Sequence, residues 1–453
     1  MDIFFTVVLF LYLAVFMLIG ILDLRRVKSF TDYSVAGKSQ SAFAVLMTLL
    51  ATVIGASTTI GITDTVNSVG FPGIWWLMFG AIGLILQSFF ISEKVRATGA
   101  DTLPELAKIL VGGAAEKLIA AVIVISWIGV IAGQLVAMNS LIVFATGKNS
   151  KLLFVIVSLI VVGYTLIGGQ MSVVKTDKIQ LIIILLGVVI CCGYLYLIKG
   201  DASHEVLGNI ELLNENYRPM NLLTQFFVIG GVYFLGPDIM SRNFIAKDEK
   251  TAKRSALISG MVLIAFSFII TLIGMWVRYN VTADELGDGK ALMYVIGLLP
   301  KPVAILMIFG LLSAILSSTD TCIINASTIF VKDILGKENV SAVRITVAVM
   351  GVLATLLAVM GRGDIMSLLT GAYSIYTPGV IFPLLVAVLC YKKKEIRKWV
   401  WLLASVLGGL FGIAGTYFGT VLLAVGIPST LLGYLSLIGM GVSLLVSLLS
   451  IKK

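Results

Sequence analysis

The feature that most constrains the fold is a series of long apolar segments that recurs along the whole chain. A helix needs about 20 mainly apolar residues to cross the hydrocarbon core of a bilayer. Only 13% of the 453 residues are charged, whereas a soluble domain averages about 25%. The sequence therefore predicts an all-α membrane protein with thirteen transmembrane helices, at residues 3–22, 42–66, 72–91, 117–146, 151–168, 178–198, 221–241, 254–277, 302–331, 342–361, 366–390, 398–425 and 428–450.

The connections between these segments are short, so residues 1–453 are predicted to form one polytopic unit. Lysine and arginine are distributed unequally between the connections. With the N-terminus outside, the inner loops carry 25 of the 33 basic residues, and none remains in a membrane core. Basic residues accumulate in cytoplasmic loops, so this bias favours a plasma-membrane protein with its C-terminus in the cytoplasm. The same placement of basic residues accounts for the net charge of +9, so we expect no nucleic-acid partner. We also expect no obligate protein partner.

Two of the segments carry residues that interrupt helices. The second segment has small and hydroxylated residues from Ala51 to Thr59, and the seventh has Gly230, Gly231, Gly236 and Pro237. Small residues can simply allow helices to pack closely. Helices broken near the bilayer midplane are also typical of transporters built from inverted repeats, where freed backbone carbonyls bind cations. The two segments are five spans apart, as a five-helix inverted repeat predicts.

The ninth segment carries an unusual run of oxygen-bearing side chains, from Ser317 to Thr321. A central Asp in a span costs roughly 2.5–3.5 kcal/mol on insertion scales, so Asp320 needs a compensating interaction. Hydroxyl, carbonyl and carboxylate oxygens suit a hard monovalent cation, whereas divalent cations usually recruit more carboxylates. Three further acids lie in or at the edge of spans: Asp64, Asp177 and Asp238.

Two of these acids have simpler alternative interpretations. Asp177 could be an interfacial acid paired with Lys175 or Lys178. Asp238 could pair with Arg242, four residues later on the same helix face. We find no nucleophile–base set, no nucleotide-binding loop and no metal-binding cluster, which predicts a cation-coupled carrier rather than an enzyme.

Four stretches also resemble those of a known family: DYSVAGKS, IGGQMSVVKTDKIQ, YFLGPDIMSRNFIAKDEKTAKRS and SSTDTCIINASTIFVKDI. In these stretches the chain is similar to the sodium/solute symporters, which include carriers of proline, glucose, pantothenate and sialic acid. The resemblance implies a leucine-transporter-type core of five plus five helices. Its parts would be an extra N-terminal helix and loop (3–41), the two repeats (42–198 and 221–390) and two C-terminal helices (398–450).

The resemblance also implies the site residues and Na+ as the coupling ion. A main sodium site would use the carbonyls of Ala51, Ile54 and Ala314 and the hydroxyls of Ser317 and Ser318. A second sodium or proton site would use Asp177, Ser317, Asp320 and Thr321, although Asp320 stands where a hydroxyl residue is more usual. Residues that bind the substrate or form a gate would be Gly55, Thr58, Gly236 and Asp238.

Together these features predict a sodium-coupled symporter that imports a small organic solute by alternating access. Thr58 replaces the Gln that meets the sugar in sugar carriers, and Asp238 could receive an amino group. We therefore prefer an amino acid or similar zwitterion as the substrate. The alternatives are a proton-coupled symporter of the same fold, and a channel or membrane sensor built on a transporter scaffold.

Overall fold

The computed structural model describes residues 6–7, 10–15, 17–18, 29–199, 206, 208–287, 289–361 and 363–452. These residues form helices and connecting turns, and the described part of the chain contains isolated bridges but no β-strand. The predicted all-α class is therefore confirmed. The first predicted span, 3–22, lies only partly within the described residues.

The helices are named here in chain order. The first half contains α1 (Phe30–Val35), α2 (Ala42–Val53), α3 (Ser57–Val69), α4 (Trp75–Phe90), α5 (Ser92–Ala97), α6 (Leu103–Leu110), α7 (Gly113–Thr146), α8 (Lys151–Leu166) and α9 (Gly168–Lys199). The second half contains α10 (Pro219–Leu235), α11 (Pro237–Ile245), α12 (Glu249–Asn280), α13 (Ala291–Leu298), α14 (Lys301–Ile334), α15 (Val340–Val359), α16 (Ile365–Cys390), α17 (Lys398–Tyr417) and α18 (Leu435–Leu449).

Most predicted spans correspond to one of these helices. Within the described residues, nine helices are long and apolar enough to cross a membrane, and the bent pair α2–α3 makes a tenth. Helices α8 and α18 are apolar but shorter. The two predicted C-terminal spans are interrupted. After α17 ends at Tyr417, short helices follow at Gly419–Ala424 and Ser429–Leu432, and α18 begins at Leu435.

Both predicted helix breaks are present. Helices α2 and α3 meet at an angle of 59°, and Ile54 between them leaves the helical range (φ −82°, ψ 81°). Helices α10 and α11 are separated by Gly236, whose backbone is extended (φ −68°, ψ 145°). A Cβ atom on Gly236 would lie 2.3 Å from the carbonyl oxygen of Val232, so this break needs glycine.

The two broken helices meet the polar helix α14 in the interior. Helix α14 contacts α2, α7, α9 and α11, and its residues from Leu311 to Ile329 are buried. The fold thus brings the oxygen-rich run of α14 against both breaks.

Candidate functional site

The break between α2 and α3 is held by side chains. The N–H of Gly55 donates to the Thr58 hydroxyl (2.9 Å) and to the Val53 carbonyl (3.0 Å). In a regular helix it would donate to Ala51, four residues earlier, so the Ala51 carbonyl loses its helical partner. The Thr58 hydroxyl in turn donates to Val53 O (3.0 Å). Thr58 therefore supports the break, and its predicted contact with substrate stays a prediction.

Helix α14 places two hydroxyls beside this break. Ser318 Oγ donates to the Thr52 carbonyl (2.8 Å), and Ser317 Oγ donates to Asp177 Oδ1 (2.6 Å). Ala314, one turn earlier on α14, is also fully buried. The residues assigned to the main sodium site therefore come from the break and from the helix that contacts it.

Gly55 allows the close approach between the break and α14. A Cβ atom at this position would lie 2.3 Å from Ser318 Oγ and 3.2 Å from Gln134 Nε2. Gln134 also fixes the break, because its Oε1 accepts from the N–H of Ala56 (3.0 Å). A side chain at Gly55 would thus push α14 or α7 away from the break.

Asp177 lies deeper than the sequence indicated. Helix α9 is regular only after Gly169, whose φ of 59° is not helical, and Asp177 lies eight residues beyond this glycine, roughly 12 Å at 1.5 Å per residue. Its side chain is fully buried and accepts hydrogen bonds from Ser317 and Thr48. The interpretation of Asp177 as an interfacial acid is therefore wrong.

Arg242, which the sequence assigned to an inner loop, is instead buried in the protein interior. Arg242 on α11 is 1% exposed, and its Nη2 lies 3.5 Å from Asp177 Oδ2. The same nitrogen donates to the hydroxyls of Thr52 (2.6 Å) and Thr321 (2.5 Å). Within the described residues, the ion pair of Arg242 is with Asp177 and not with Asp238, because the guanidinium reaches across to α2, α9 and α14.

Asp320 has different hydrogen-bond partners from Asp177. One of its oxygens, Oδ1, accepts a hydrogen bond from Thr165 on α8. The other, Oδ2, is buried without a hydrogen-bond partner among the described residues. Three of the four residues of the predicted second site, Asp177, Ser317 and Thr321, thus share one network with Arg242, and the fourth, Asp320, is hydrogen-bonded to α8.

Asp238 and Gly55 line a small cavity between the two breaks. The cavity measures about 20 Å³, room for about one water molecule. Asp238 Oδ1 is buried and has no hydrogen-bond partner among the described residues, while Oδ2 lies 3.9 Å from Cys322 Sγ. The other residues that line it are Thr52, Val53, Ser57, Val130, Gln134, Val232, Tyr233, Ile239, Ser318, Cys322, Leu369 and Tyr373.

An ion cluster joins three segments on the predicted inner side. Asp101 pairs with Lys38 and with Lys332 (2.5 Å), and Lys332 also reaches Glu105 (3.0 Å). Burial raises the pKa of Asp101, but the hydrogen bonds from Lys332 and Lys38 outweigh burial and hold this pKa below the usual value of an aspartate. The ion pairs of Asp101 tie the loop after α5 to the end of α14.

Sequence reasoning did not assign five residues of this site: Thr48, Thr52, Gln134, Thr165 and Arg242. Thr48 and Thr52 are one helical turn apart, and this i,i+4 spacing was a usable signal. Gln134 is a single amide in an otherwise apolar span, and its contact with Ala56 is not readable from local pattern.

Comparison with known families identifies the chain. Residues 33–396 match the model of the Sodium:solute symporter family. The chain belongs to this family. It is therefore a multi-pass membrane transporter and not an enzyme, and sodium-coupled solute symport is the activity that its family carries out.

Two solved structures share the fold of this symporter. A sodium-coupled sialic acid symporter in a substrate-bound outward-open state superimposes with a TM-score of 0.80 at 17% identity, covering 99% of this chain and 98% of that chain. A nucleobase-cation-symport-1 family transporter, in a closed conformation with bromovinylhydantoin bound, gives a TM-score of 0.62 at 16% identity, covering 92% and 93%. Both solved structures are of transporters, and their structural similarity to this chain agrees with the helical fold described above.

Proposed function

We propose that this symporter imports a small organic solute together with sodium bound where α2 breaks against α14. The observation that carries the proposal is the hydrogen bond from Ser318 to Thr52 O (2.8 Å), which places α14 hydroxyls beside carbonyls released by the break. Carbonyls freed at such breaks coordinate sodium in transporters. The ligands of the ion would be the carbonyls of Ala51, Ile54 and Ala314 and the hydroxyls of Ser317 and Ser318.

The test is uptake by the purified protein in proteoliposomes. A panel of labelled amino acids, amines, sugars, carboxylates and vitamins is offered with an inward sodium gradient, and sodium is then replaced by choline at fixed pH. We expect at least one solute to accumulate with sodium and not with choline. Accumulation that survives in choline but collapses with the proton gradient would contradict the proposal and support proton coupling.

The proton-coupled alternative has one observation in its favour, the buried Asp320. An ionised carboxylate away from water is costly unless it is paired, and Oδ2 of Asp320 has no hydrogen-bond partner among the described residues. In that mechanism Asp320 would take up and release the transported proton. Asp320→Asn would then abolish accumulation, whereas a sodium-coupled protein keeps sodium-dependent uptake in this variant.

The cavity beside Asp238 would form the closed substrate pocket. Ligand pockets usually measure about 300–1,000 Å³, so a cavity of about 20 Å³ must widen to admit a solute. Widening requires the helices that line the cavity to move apart, and α11 with Asp238 and α16 with Tyr373 are among them. This is the movement that alternating access requires.

We propose a solute with a protonated amine, such as an amino acid or similar zwitterion. Asp238 Oδ1 has no hydrogen-bond partner in the described part of the cavity wall, and the nearest buried cation on the same helix, Arg242, pairs with Asp177. Asp238 is therefore available to an ammonium group. An ion pair with such a group offsets the cost of removing the buried carboxylate from water.

Asp238→Asn is expected to lower the affinity for an amine solute by about 10–100-fold, since hydrogen bonds to charged groups contribute roughly 1.5–3 kcal/mol. Uptake against solute concentration measures the change. The matched control is sodium binding in the absence of solute, measured as the sodium-dependent rise in melting temperature. This rise should equal that of the wild type. Unchanged amine affinity would contradict the assigned role of Asp238.

We also propose thirteen spans with the N-terminus outside and the C-terminus in the cytoplasm of a plasma membrane. The first repeat (42–198) and second repeat (221–390) would then have opposite orientations. In a background without the four native cysteines, Asn216→Cys should react with an impermeant maleimide from outside intact cells. Lys393→Cys should react only after the membrane is opened. Both positions are exposed, so the reverse pattern would contradict the orientation.

A further inference from the structure

The turn between α16 and α17 holds a pocket with a basic wall, which we call the basic pocket. It measures about 310 Å³. Its charged lining residues are four lysines and one glutamate: Lys392, Lys394, Glu395, Lys398 and Lys452. The apolar part of the wall includes Leu110, Val111 and Ala387. A pocket that combines several cations with apolar surface suits an amphipathic anion.

Three of these lysines are available to an anion. Within the described residues, Lys452 pairs with Glu395 (2.5 Å), whereas the other three lysines have no acidic partner. Lys392 Nζ lies 5.3 Å from the ring centroid of its neighbour Tyr391, a contact that leaves its charge in place. The side chains of Lys392, Lys394 and Lys398 are exposed, so a ligand from outside the protein can reach them.

The backbone around the basic pocket is held by two parts of the chain. The N–H of Arg397 donates to the Ser450 carbonyl (2.7 Å), and the N–H of Lys452 donates to the Glu395 carbonyl (2.9 Å). The same turn starts α17, whose N-cap residue Arg397 makes no side-chain capping hydrogen bond. The first N–H groups of a helix lack helical partners and favour a negative charge. The start of α17 therefore adds to the attraction that the lysines exert on an anion.

The position of the basic pocket is that of the lipid headgroups. It lies at the connection between α16 and α17, which are both long and apolar enough to cross a membrane. Helix α17 also exposes an apolar stripe that begins directly after Lys398 and consists of Trp399, Leu403, Val406 and Leu410. Trp399 is 82% exposed, and tryptophan is enriched at the boundary between membrane and water.

We propose that the basic pocket binds the phosphate headgroup of an anionic phospholipid, from the cytoplasmic leaflet in the orientation proposed above. The lysines and the start of α17 would hold the phosphate, and the apolar wall would contact the glycerol and the first carbons of the chains. Basic pockets between transmembrane helices on the cytoplasmic side bind such headgroups. The bound lipid would connect α16 and the two C-terminal helices to the turn after α6. The proposal does not depend on sodium coupling.

The test measures how much labelled phosphatidylglycerol the purified full-length protein binds in a neutral detergent. We expect one lipid per wild-type protein, which excess phosphatidylcholine does not displace. In the pocket variant, Lys392, Lys394 and Lys398 are each replaced by Gln, and we expect about 100-fold weaker binding. Each basic residue near an anionic membrane surface contributes about fivefold.

The matched control replaces three other lysines on the same predicted side by Gln: Lys247, Lys250 and Lys337. They are also exposed and do not line the basic pocket, so this variant should bind the lipid like the wild type. An equal loss of binding in the control would show general attraction by basic loops and would overturn the inference.

Two competition experiments with the wild type decide the source of the phosphate. Displacement of the labelled lipid by phosphatidylcholine would overturn the choice of an anionic lipid. Displacement by millimolar inorganic phosphate would also overturn it and would assign the basic pocket to a soluble anion. Wild-type affinity in the folded pocket variant would contradict the role of the lysines. If the pocket variant does not fold, the two wild-type competitions still decide.

Discussion

Replacement of both Ser317 and Ser318 by alanine is expected to remove the sodium dependence of transport. The variant loses two proposed ligands, and it also loses the hydrogen bond from Ser318 to Thr52 O (2.8 Å) that holds α14 at the break. Loss of an outer-shell partner alone typically costs about 10–100-fold in metal affinity, and loss of two ligands should exceed that. The sodium-dependent rise in melting temperature measures the effect in purified protein.

Thr319→Val is the matched control for this experiment. Thr319 lies on the same helix, is fully buried and also carries a hydroxyl. That hydroxyl donates to Ile315 O within α14 (2.6 Å), so its removal should leave the sodium response unchanged. A sodium response that persists in the double alanine variant, or that disappears equally in Thr319→Val, would exclude the proposed site.

Gly55→Ala is expected to abolish sodium-coupled uptake with a single added carbon atom. The new Cβ would lie 2.3 Å from Ser318 Oγ and 3.0 Å from Ser318 Cβ, so either the Ser318 hydroxyl rotates away from the break or α14 shifts. Overpacking of this kind costs about 1–3 kcal/mol of stability, and here the displaced atom is a proposed sodium ligand. Uptake and the sodium-dependent rise in melting temperature should therefore both decrease. The rise in melting temperature should decrease even when the variant is folded.

Gly193→Ala is the control for the glycine substitution. Gly193 lies in α9, and a Cβ atom there meets no other atom within 4 Å. Alanine also favours a helix over glycine by roughly 0.8–1.0 kcal/mol, so this variant should fold and transport like the wild type. If Gly55→Ala kept full sodium affinity, the contact between the break and Ser318 would have no part in ion binding.

The positions of both helix breaks could be predicted because their causes are local. Gly236 and Pro237 together end one helix and start the next, since proline has no N–H and glycine tolerates the close carbonyl of Val232. At the first break, glycine and hydroxyl residues compete with the helical hydrogen bonds of their own segment, as Thr58 does with Val53. Such signals lie within a few residues of the structure that they produce.

The position of Arg242 could not be predicted in the same way. Its i,i+4 relation to Asp238 suggested a local pair, and its place near a basic loop suggested the membrane surface. Its observed partners, Thr52 and Asp177, are 190 and 65 positions away in the sequence, and no periodicity encodes contacts of that range. The same is true of Gln134, whose amide reaches Ala56 from another span.

Local sequence was thus enough for the membrane class, the all-α architecture, the two breaks and the family, because apolar length and helix-breaking residues act within one segment. The pairing of charges depended on how separate helices pack. Asp177 and Arg242 are costly to bury alone, and the packing of α2, α9, α11 and α14 around them supplies the partners. The series of apolar segments predicts a helical membrane protein, and the contacts between its helices determine which oxygens remain for an ion.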